Sequence, residues 1–265
     1  MPKFFVKNDQ VHGDEIAIVG QDVNHILNVL RLTKEDKVNI CNTDSRENYI
    51  AKIIEIGADI MSVPEVVKCE IIEKIDSNHE SNIHITAFQG LPKADKMELI
   101  IEKCVELGVG EIIPVEMKRC VVKLDDKNKD RKIERWQKIA ETAAKQSGRD
   151  IIPEIGKIIN TKNICNLICN YDIVLLAYEE ERENKLKDEL NKLIAKERAH
   201  LTRRLSAELT EGSPLHIGII VGPEGGLEEN EVEQLKEKGA KVVSLGKRIL
   251  RTETVRTYDG INYNV

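Results

Sequence analysis

The sequence predicts an α/β protein in which a small β-rich module precedes a larger module built on a mostly parallel sheet. From residue 83 onward, short apolar runs alternate with segments whose apolar residues recur at helical spacing, which is typical of a parallel sheet flanked by helices. Before residue 73, short strand-like runs follow one another, with turn residues between them and a single helical interlude. This second pattern is typical of a small β-barrel.

The N-terminal module contains five predicted strands, KFFV, EIAIV, KVNIC, YIAKIIEI and VVKCEII. Turn signals such as His12-Gly13-Asp14 separate them. The helical interlude is DVNHILNVLRL, with Asp22 as its expected N-cap. The polar stretch IDSNHESN predicts a linker, so we place the domains at residues 1–74 and 75–265.

The C-terminal module contains five more predicted strands, IHITAF, EIIPV, IVLLA, LHIGIIV and KVVSL. The segment DKMELIIEKCVELG predicts a helix with Asp95 and Glu98 as a capping pair and Gly108 as its C-terminal stop. DRKIERWQKIAETAAKQSG predicts a helix that buries a stripe including Trp136, and EENEVEQLKEKG predicts another. The charged stretch from 179 to 212 predicts an exposed helical insertion.

Composition indicates a globular protein, because hydrophobic residues make up 41% of the 265 residues and charged residues 32%. No apolar run approaches the ~20 residues that span a bilayer. The N-terminus MPKFFVKNDQ lacks the apolar stretch of a signal peptide, so we expect a cytoplasmic protein. Cys165 and Cys169 lie one helical turn apart without a nearby histidine, which favours buried free thiols over a metal site.

The charge of the chain is uneven. The net charge is −6, yet residues 118–149 contain eleven Lys or Arg against five acids. A basic surface on an acidic protein indicates a specific polyanionic partner. A solvated helix face is the alternative interpretation.

The segment GPEGG lies between the predicted strand LHIGIIV and a helix. This is the usual frame for a nucleotide phosphate, but neither a Gly-Lys-Ser/Thr nor a G-x-G-x-x-G pattern is present. Glu228, Glu229 and Glu231 in the following turn would repel an anion. The loop therefore favours a ligand with a cationic centre, with a tight ligand-free turn as the alternative.

Two other loops are predicted to lie beside GPEGG. One begins at Ala177 and Tyr178, after IVLLA, and the other is SLGKRILRTET, at the last predicted strand. The carboxyl ends of parallel strands share one edge of a sheet, and ligands bind outside that edge. The three loops together therefore predict a ligand pocket.

The segments LPKADKMELIIEKCVELGVGEIIPVEMKRCVVKL, ERWQKIAETAAKQSGR, LLAYEEE, GPEGG and SLGKRILRTET together resemble the RsmE family. These are small-subunit rRNA uridine N3-methyltransferases of the SPOUT superfamily. The likeness covers nearly the whole chain, and HILNVLRLTKEDKV is similar to the family's PUA-like RNA-binding domain. It implies a SPOUT-type α/β domain with a trefoil knot after a PUA-like β-barrel. It also implies a homodimer that methylates N3 of a uridine in 16S rRNA or the small ribosomal subunit, without a metal.

The resemblance implies S-adenosylmethionine as the methyl donor, bound mainly by the backbone of the three loops. No other cofactor is implied. The cofactor-binding residues that it implies are Leu176, Ala177, Tyr178, Gly222, Pro223, Glu224, Gly225, Gly226, Leu245, Gly246, Ile249, Leu250 and Thr252.

Methyl transfer to N3 requires a splayed-out base, loss of the N3 proton and stabilisation of negative charge on the uracil. We expect Arg251 to contact the substrate or stabilise that charge. A structural ion pair with Glu224 or Glu253 is the alternative for Arg251. Either Glu224 or Glu253 is expected to orient the cofactor or to help the proton leave, and the sequence does not separate them.

Basic residues of both modules are predicted to contact RNA phosphates, which position a substrate without reading its sequence. His25 and Trp136 are expected to be packing residues. The predicted phosphate contacts are Arg31, Lys93, Lys118, Arg119, Lys123 and Arg149.

The C-terminal sequence VRTYDGINYNV departs from the family pattern. Asp259-Gly260 is a turn signal, and Asn262 and Asn264 are poor helix formers, so no long terminal helix is expected. This leaves a second class of function, a non-catalytic RNA-binding or ribosome-assembly protein that keeps the fold. An enzyme that binds a nucleotide phosphate is disfavoured by the acids after GPEGG.

Overall fold

The computed structural model describes residues 1–57, 66–76, 80–204, 215–248 and 250–255. The chain divides into two compact units. The N-terminal unit comprises Met1–Glu80 together with Thr142–Ile152, and the C-terminal unit comprises Ser81–Glu141 together with Pro153–Val265.

The N-terminal unit contains all five predicted strands and one short strand that was not predicted. A four-residue helix follows the third strand and continues as a π-helical turn at His25–Val29. The elements are β1 (Lys3–Val6), β2 (Val11–His12), β3 (Glu15–Val19), α1 (Gln21–Asn24), β4 (Lys37–Asn42), β5 (Asn48–Gly57) and β6 (Val66–Ile75).

These six strands form one curled sheet in the order β1-β4-β5-β6-β3-β2. Phe4 from one end of this path and Ile16 from near the other belong to the same buried cluster. Because both ends bury against one core, the sheet curls around it. His25 packs edge-on against Phe4, with ring centroids 6.2 Å apart, which confirms its expected packing role.

The start of α1 differs from the prediction. Gly20 occupies the N-cap position, and the Asp22 carboxylate instead pairs with Lys145 Nζ at 2.7 Å. The helix begins at Gln21, so Asp22 is its second residue and lies past the N-cap position. The expected N-cap role of Asp22 is therefore wrong.

The segment after α3 (Asp126–Ser147) belongs to the N-terminal unit, although it lies far along the chain. Lys3 Nζ pairs with Asp150 Oδ1 at 2.6 Å, and both side chains are less than 10% exposed. The Cys41 thiol donates to Asp150 O at 3.2 Å, and burial raises the pKa of that thiol to about 11. Glu80 accepts hydrogen bonds from Arg149 and from the Asp150 N–H.

The C-terminal unit alternates strands and helices, as the sequence predicts. It contains the five predicted strands and two two-residue strands that were not predicted. Its elements besides α3 are β7 (Ile83–Gly90), α2 (Lys96–Glu106), β8 (Glu111–Glu116), β9 (Glu154–Ile155), β10 (Ile159–Asn160), α4 (Thr161–Leu167), β11 (Ile173–Ala177), α5 (Leu186–Arg204), β12 (Leu215–Val221), α6 (Glu229–Glu237), β13 (Lys241–Val243) and α7 (Thr252–Val255).

The sheet of this unit is parallel at every described pairing, in the order β10-β8-β7-β12-β11-β13, with β9 also on β8. On one side of β7 lie β8 and the short strands β9 and β10. On the other side lie β11, β12 and β13. The order therefore reverses between β7 and β12. The carboxyl ends of these two strands border the crevice where open α/β sheets bind ligands.

The helices largely follow the predicted pattern. Trp136 is 3% exposed, Ala140 is fully buried, and α2 ends before Gly108, which has φ +90°. Asp95 precedes α2 but makes no side-chain cap, and Glu98 pairs instead with Arg135 at 2.7 Å. The expected capping pair is therefore not formed.

Two expectations about exposure need correction. The helix α5 is not wholly exposed, because Leu186 and Leu193 are buried. Cys169 is exposed, whereas the sequence favoured buried thiols. Within the described ranges, no helix is long and apolar enough to cross a membrane, and no group of three His, Cys, Asp or Glu side chains could hold a metal ion.

Candidate functional site at the carboxyl edge of the parallel sheet

The loop after β12 contains glycines that its neighbours approach very closely. A Cβ at Gly90, the last residue of β7, would lie 2.6 Å from Pro223 Cδ, and a Cβ at Gly222 would lie 2.9 Å from Leu227 Cδ1. Gly226 has φ +68°, and the Glu179 carboxylate occupies the place of its Cβ. Glycine thus lets the backbone segments at this edge come closer together than side chains would allow.

Thr252 joins the segment after β13 to residues 222–226, the loop after β12 that is called the glycine loop below. Its Oγ1 donates to Gly222 O at 2.8 Å and accepts from Gln89 Nε2 at 2.9 Å. Thr252 is 5% exposed and Gln89 is fully buried. These buried hydrogen bonds join the end of β7, the loop after β12 and the start of α7.

The loop after β11 runs beside the end of β13. The Tyr178 N–H donates to Val243 O at 3.2 Å. Farther along, Ser244 N–H donates to Asn184 O at 2.7 Å, and Leu186 N–H donates to Ser244 O at 3.2 Å. The structure therefore brings together the three loops that the sequence predicts to be neighbours.

The predicted cofactor residues lie in these loops with different degrees of exposure. Leu176 is buried inside β11, whereas Ala177, Tyr178, Leu245 and Leu250 are half-buried. Ile249 lies outside the described residues. The remaining predicted residues form the loop Gly222–Gly226, together with Gly246, which has φ +116°, and Thr252.

The two predicted carboxylates meet at Lys96, the first residue of α2. Lys96 Nζ lies 3.0 Å from Glu224 Oε1 and 3.5 Å from Glu253 Oε2. Glu224 also accepts from the Lys93 N–H at 3.1 and 3.2 Å. Glu253 Oε2 is buried and accepts no hydrogen bond from any described residue, so its contact with Lys96 at 3.5 Å is an ion pair only.

The surroundings of Glu224 favour its charged form. Burial alone would raise the pKa of this carboxyl group. Hydrogen bonds from its own backbone N–H, from Lys96 and from the Lys93 N–H outweigh burial, so the pKa is lowered. The pKa of Lys96 is raised, chiefly by its hydrogen bond to Glu224. The ion pair is therefore charged at neutral pH.

Arg251 is exposed and precedes α7. Its carbonyl accepts from the Thr254 and Val255 N–H groups. Its guanidinium forms no ion pair with any residue in the described part of the chain. The alternative ion pair with Glu224 or Glu253 is therefore not formed, since Lys96 occupies that position.

A basic turn, Met117–Cys120, follows β8 and packs against the glycine loop. Arg119 Nη1 donates to Gly225 O at 3.2 Å, and Lys118 Nζ pairs with Glu228 at 2.9 Å. The Lys118 N–H and the Thr161 hydroxyl both donate to Glu231 Oε1, at 3.2 and 2.6 Å. Glu231 is 4% exposed, so a buried carboxylate holds the basic turn in place.

The predicted RNA contacts differ in their availability to a phosphate. Arg31, Lys93 and Lys123 are exposed, as are Lys118 and Arg119. Arg149 is 5% exposed and donates to Glu80 from Nε at 3.2 Å and from Nη2 at 2.5 Å. A guanidinium already held in a buried bidentate pair is not free to bind a phosphate. The structure therefore corrects the prediction for Arg149.

Sequence reasoning missed several residues of this edge. Gln89, Lys96 and Glu231 hold loops in place and Glu179 lies against Gly226, but none of these contacts was predicted. Only Gln89 carries a local signal, because it is a polar residue at the end of a buried apolar strand. The partners of the others lie far away in sequence.

The arrangement suits a ligand that carries positive charge. The glycines let the loops pack closely together, and the carboxylates of Glu224 and Glu253 lie at the same edge. The buried Glu253 Oε2, with no donor among the described residues, is an acceptor that a ligand could satisfy.

Comparisons with known proteins agree with this geometry. A family model described as an RNA methyltransferase domain matches residues 79–258, and one described as an RNA methyltransferase PUA domain matches residues 18–63. The chain is 36% identical over 262 residues to Ribosomal RNA small subunit methyltransferase E of Bacillus subtilis (strain 168). That alignment covers 97% of this chain and 94% of the relative.

Two further relatives extend this similarity. The chain is 30% identical over 259 residues to the protein of the same name from Mesomycoplasma hyopneumoniae (strain 232), covering 97% of this chain and 96% of the relative. It also resembles the crystal structure of a Ribosomal RNA small subunit methyltransferase E from Neisseria gonorrhoeae bound to S-adenosyl methionine. The TM-score is 0.75 at 28% identity, covering 97% of this chain and 93% of the other.

Proposed function

Because this chain belongs to the ribosomal RNA small subunit methyltransferase E family, we propose that it transfers a methyl group from S-adenosylmethionine to N3 of a uridine in small-subunit rRNA. The observation that carries the proposal is the convergence of the loops after β11, β12 and β13 at the carboxyl edge of the parallel sheet. The partner is 16S rRNA or the small ribosomal subunit, and the place of action is the cytoplasm.

We place the cofactor at the loops of residues 176–178, 222–226 and 245–252. The residues fit this group, because the glycines let the loops pack closely together and the buried Glu253 Oε2 has no donor among the described residues. The carboxylates of Glu224 and Glu253 give the edge a negative potential that suits a sulfonium. When bound, S-adenosylmethionine supplies an electrophilic methyl group.

The exposed guanidinium of Arg251 is the group that we place against the uracil. As N3 loses its proton, negative charge develops on the ring, and a fixed cation at that position stabilises it. Arg251 is suited to this role because no carboxylate of the described residues neutralises it. Glu224, whose pKa is lowered, is poorly suited to accept a proton.

We also propose that the C-terminal unit is a trefoil knot and that the active form is a homodimer. The path of the chain supports the knot, because residues 184–186 run beside Ser244 and the chain then returns to Gly222 through Thr252. The predicted departure of the tail from the family pattern concerns residues 256–265, which lie outside the described residues.

The two parts of the chain have different proposed tasks. We propose that residues 1–74 form a PUA-like β-barrel RNA-binding domain and that residues 75–265 carry the methyltransferase site. Residues 142–152 join the N-terminal unit, so the two sequence ranges are not wholly separate in the fold. The proposed phosphate contacts are Arg31, Lys93, Lys118, Arg119 and Lys123.

The proposal is tested by mass spectrometry of small-subunit rRNA from cells with and without the gene. We expect one 3-methyluridine to disappear without the gene and to return with a plasmid copy. Calorimetric titration of the purified protein with S-adenosylmethionine should show binding. Unchanged 3-methyluridine together with no binding would instead identify a non-catalytic RNA-binding protein.

A further inference from the structure

Lys96 lies between two segments, a loop and a short helix, that come from distant parts of the chain. Glu224 belongs to the glycine loop after β12, and Glu253 belongs to α7. The Lys96 ammonium lies 3.0 Å from the first carboxylate and 3.5 Å from the second. Because α7 also packs against α2, Lys96 is a cation at the junction of three segments.

The two carboxylates depend on Lys96 to different extents. Glu224 has other donors, including the Lys93 N–H, so its loop remains anchored without the lysine. Glu253 Oε2 is buried and accepts no hydrogen bond from the described part of the chain, so Lys96 is its one described counter-charge. Without that charge, a buried carboxylate would be left uncompensated beside another one, which is unfavourable.

We propose that Lys96 is a positioning residue of the S-adenosylmethionine site, which holds the start of α7 against the glycine loop. Through this contact it fixes Thr252 and the adjacent Arg251 relative to Gly222. The inference rests on the proposed function, because the site that it closes is the proposed cofactor site.

The contact is suited to local positioning rather than to holding the whole fold together. The Lys96 side chain is 38% exposed, and ion pairs of this exposure contribute little to global stability. The helix α7 has only four residues, so it depends on contacts with neighbouring segments to keep its place. Loss of Lys96 should therefore weaken ligand binding much more than it lowers the melting temperature.

The test compares Lys96→Met, Lys96→Arg and Lys103→Met in the full chain. Lys103 is a matched control, because it lies on the same helix, is 39% exposed and forms its ion pair with Glu106, away from the glycine loop. Calorimetry should show about fivefold weaker S-adenosylmethionine binding for Lys96→Met, which corresponds to about 1 kcal/mol. For Lys96→Arg, the change in the logarithm of the dissociation constant should be at most half of that for Lys96→Met. Lys103→Met should have the dissociation constant of the wild type.

Thermal unfolding of the ligand-free variants separates positioning from general destabilisation. We expect the melting temperature of Lys96→Met to stay within about 3 °C of the wild type. A dissociation constant within twofold of the wild type would overturn the inference. So would a fall in melting temperature large enough to leave the chain partly unfolded at the temperature of the titration.

A double-mutant cycle with Glu253→Gln provides the second measurement. If Lys96 acts through Glu253, the effect of Lys96→Met on binding should shrink at least threefold when Glu253 is already neutral. Additive effects would contradict the inference. A wild-type protein that binds no S-adenosylmethionine would refute the proposed function itself, whereas normal wild-type binding with unaffected Lys96→Met would refute only the role of Lys96.

Discussion

The lowered pKa of Glu224 links the stability of the glycine loop to pH. A carboxyl group whose pKa is lower in the folded than in the unfolded chain stabilises the fold above its ordinary pKa, here 4.5. That stabilisation is lost as the pH falls through the folded value. We expect Glu224→Gln to lower the free energy of unfolding at pH 7 and to approach the wild type as the pH falls below 4.5. Urea unfolding across this range measures the difference.

Glu233→Gln is the matched control for that experiment, because Glu233 is exposed on α6 and forms no ion pair within the described ranges. Its difference from the wild type should be small and nearly independent of pH. If the free energy of unfolding of Glu224→Gln differed from that of the wild type by the same amount from pH 7 to pH 3, the hydrogen bonds to the Glu224 carboxylate would not stabilise the fold.

Among the short elements, the basic turn Met117–Cys120 combines exposed basic side chains with a fixed backbone. Its Lys118 N–H is held by the buried carboxylate of Glu231, and Arg119 contacts the carbonyl of Gly225. The cationic groups themselves remain exposed. A turn that is fixed in this way can present two charges to a phosphate backbone at a constant distance from the glycine loop.

We expect the double substitution Lys118→Gln with Arg119→Gln to reduce the salt dependence of RNA binding. For single-stranded RNA, two lost phosphate contacts should lower the slope of log K against log salt by about 1.4. Binding of a small-subunit rRNA fragment at several salt concentrations measures that slope.

The control neutralises Lys236 and Lys238, which are exposed at the end of α6, just before β13. The amino ends of the parallel strands lie at this edge of the sheet, opposite the carboxyl edge that carries the glycine loop. That double variant should keep the wild-type slope. Equal slopes for both double variants would mean that the basic turn is only a solvated surface.

The main elements of the sheet could be predicted because buried parallel strands are continuous apolar runs. Residues 173–177 and 215–221 match β11 and β12 at both ends. The strands β9 and β10 have two residues each, which is too short for any periodicity. They form because each pairs with β8 in the folded chain, and such pairing between distant segments cannot be read from local sequence.

The site could be predicted only in part, because sequence shows residue types but not their partners. Glycines and strand ends were sufficient to group three loops. The pairing of Arg149 with Glu80 joins positions 69 residues apart, so the charge pattern made a buried arginine look like a surface one. For the same reason, Lys96 looked like an ordinary residue in the first turn of a helix.

At the scale of the whole molecule, the N-terminal unit is completed by a segment from the middle of the chain. Lys3 and Asp150 form a buried ion pair at 2.6 Å. We expect Lys3→Met to lower the free energy of unfolding by about 3–5 kcal/mol, because it removes the cation of a buried ion pair. Denaturant unfolding of the full chain measures the change.

Lys68→Met is the control within the same unit. Lys68 pairs with Glu55 at 2.8 Å, but both side chains are more than 40% exposed. Its loss should cost less than about 1 kcal/mol. If the two substitutions had equal effects, the contact of Lys3 with the 142–152 segment would not stabilise the unit.

The return of residues 142–152 to the N-terminal unit has a consequence for biosynthesis. A domain made of residues 1–80 alone could complete its folding as soon as it left the ribosome. Here the partners of Lys3, Cys41 and Glu80 are synthesised only with residues 148–151. At about 5–20 residues per second, roughly 70 further residues take about 4–14 s. During that interval Lys3, Cys41 and Glu80 lack these contacts, so the N-terminal unit completes its folding only after residue 152 has been synthesised.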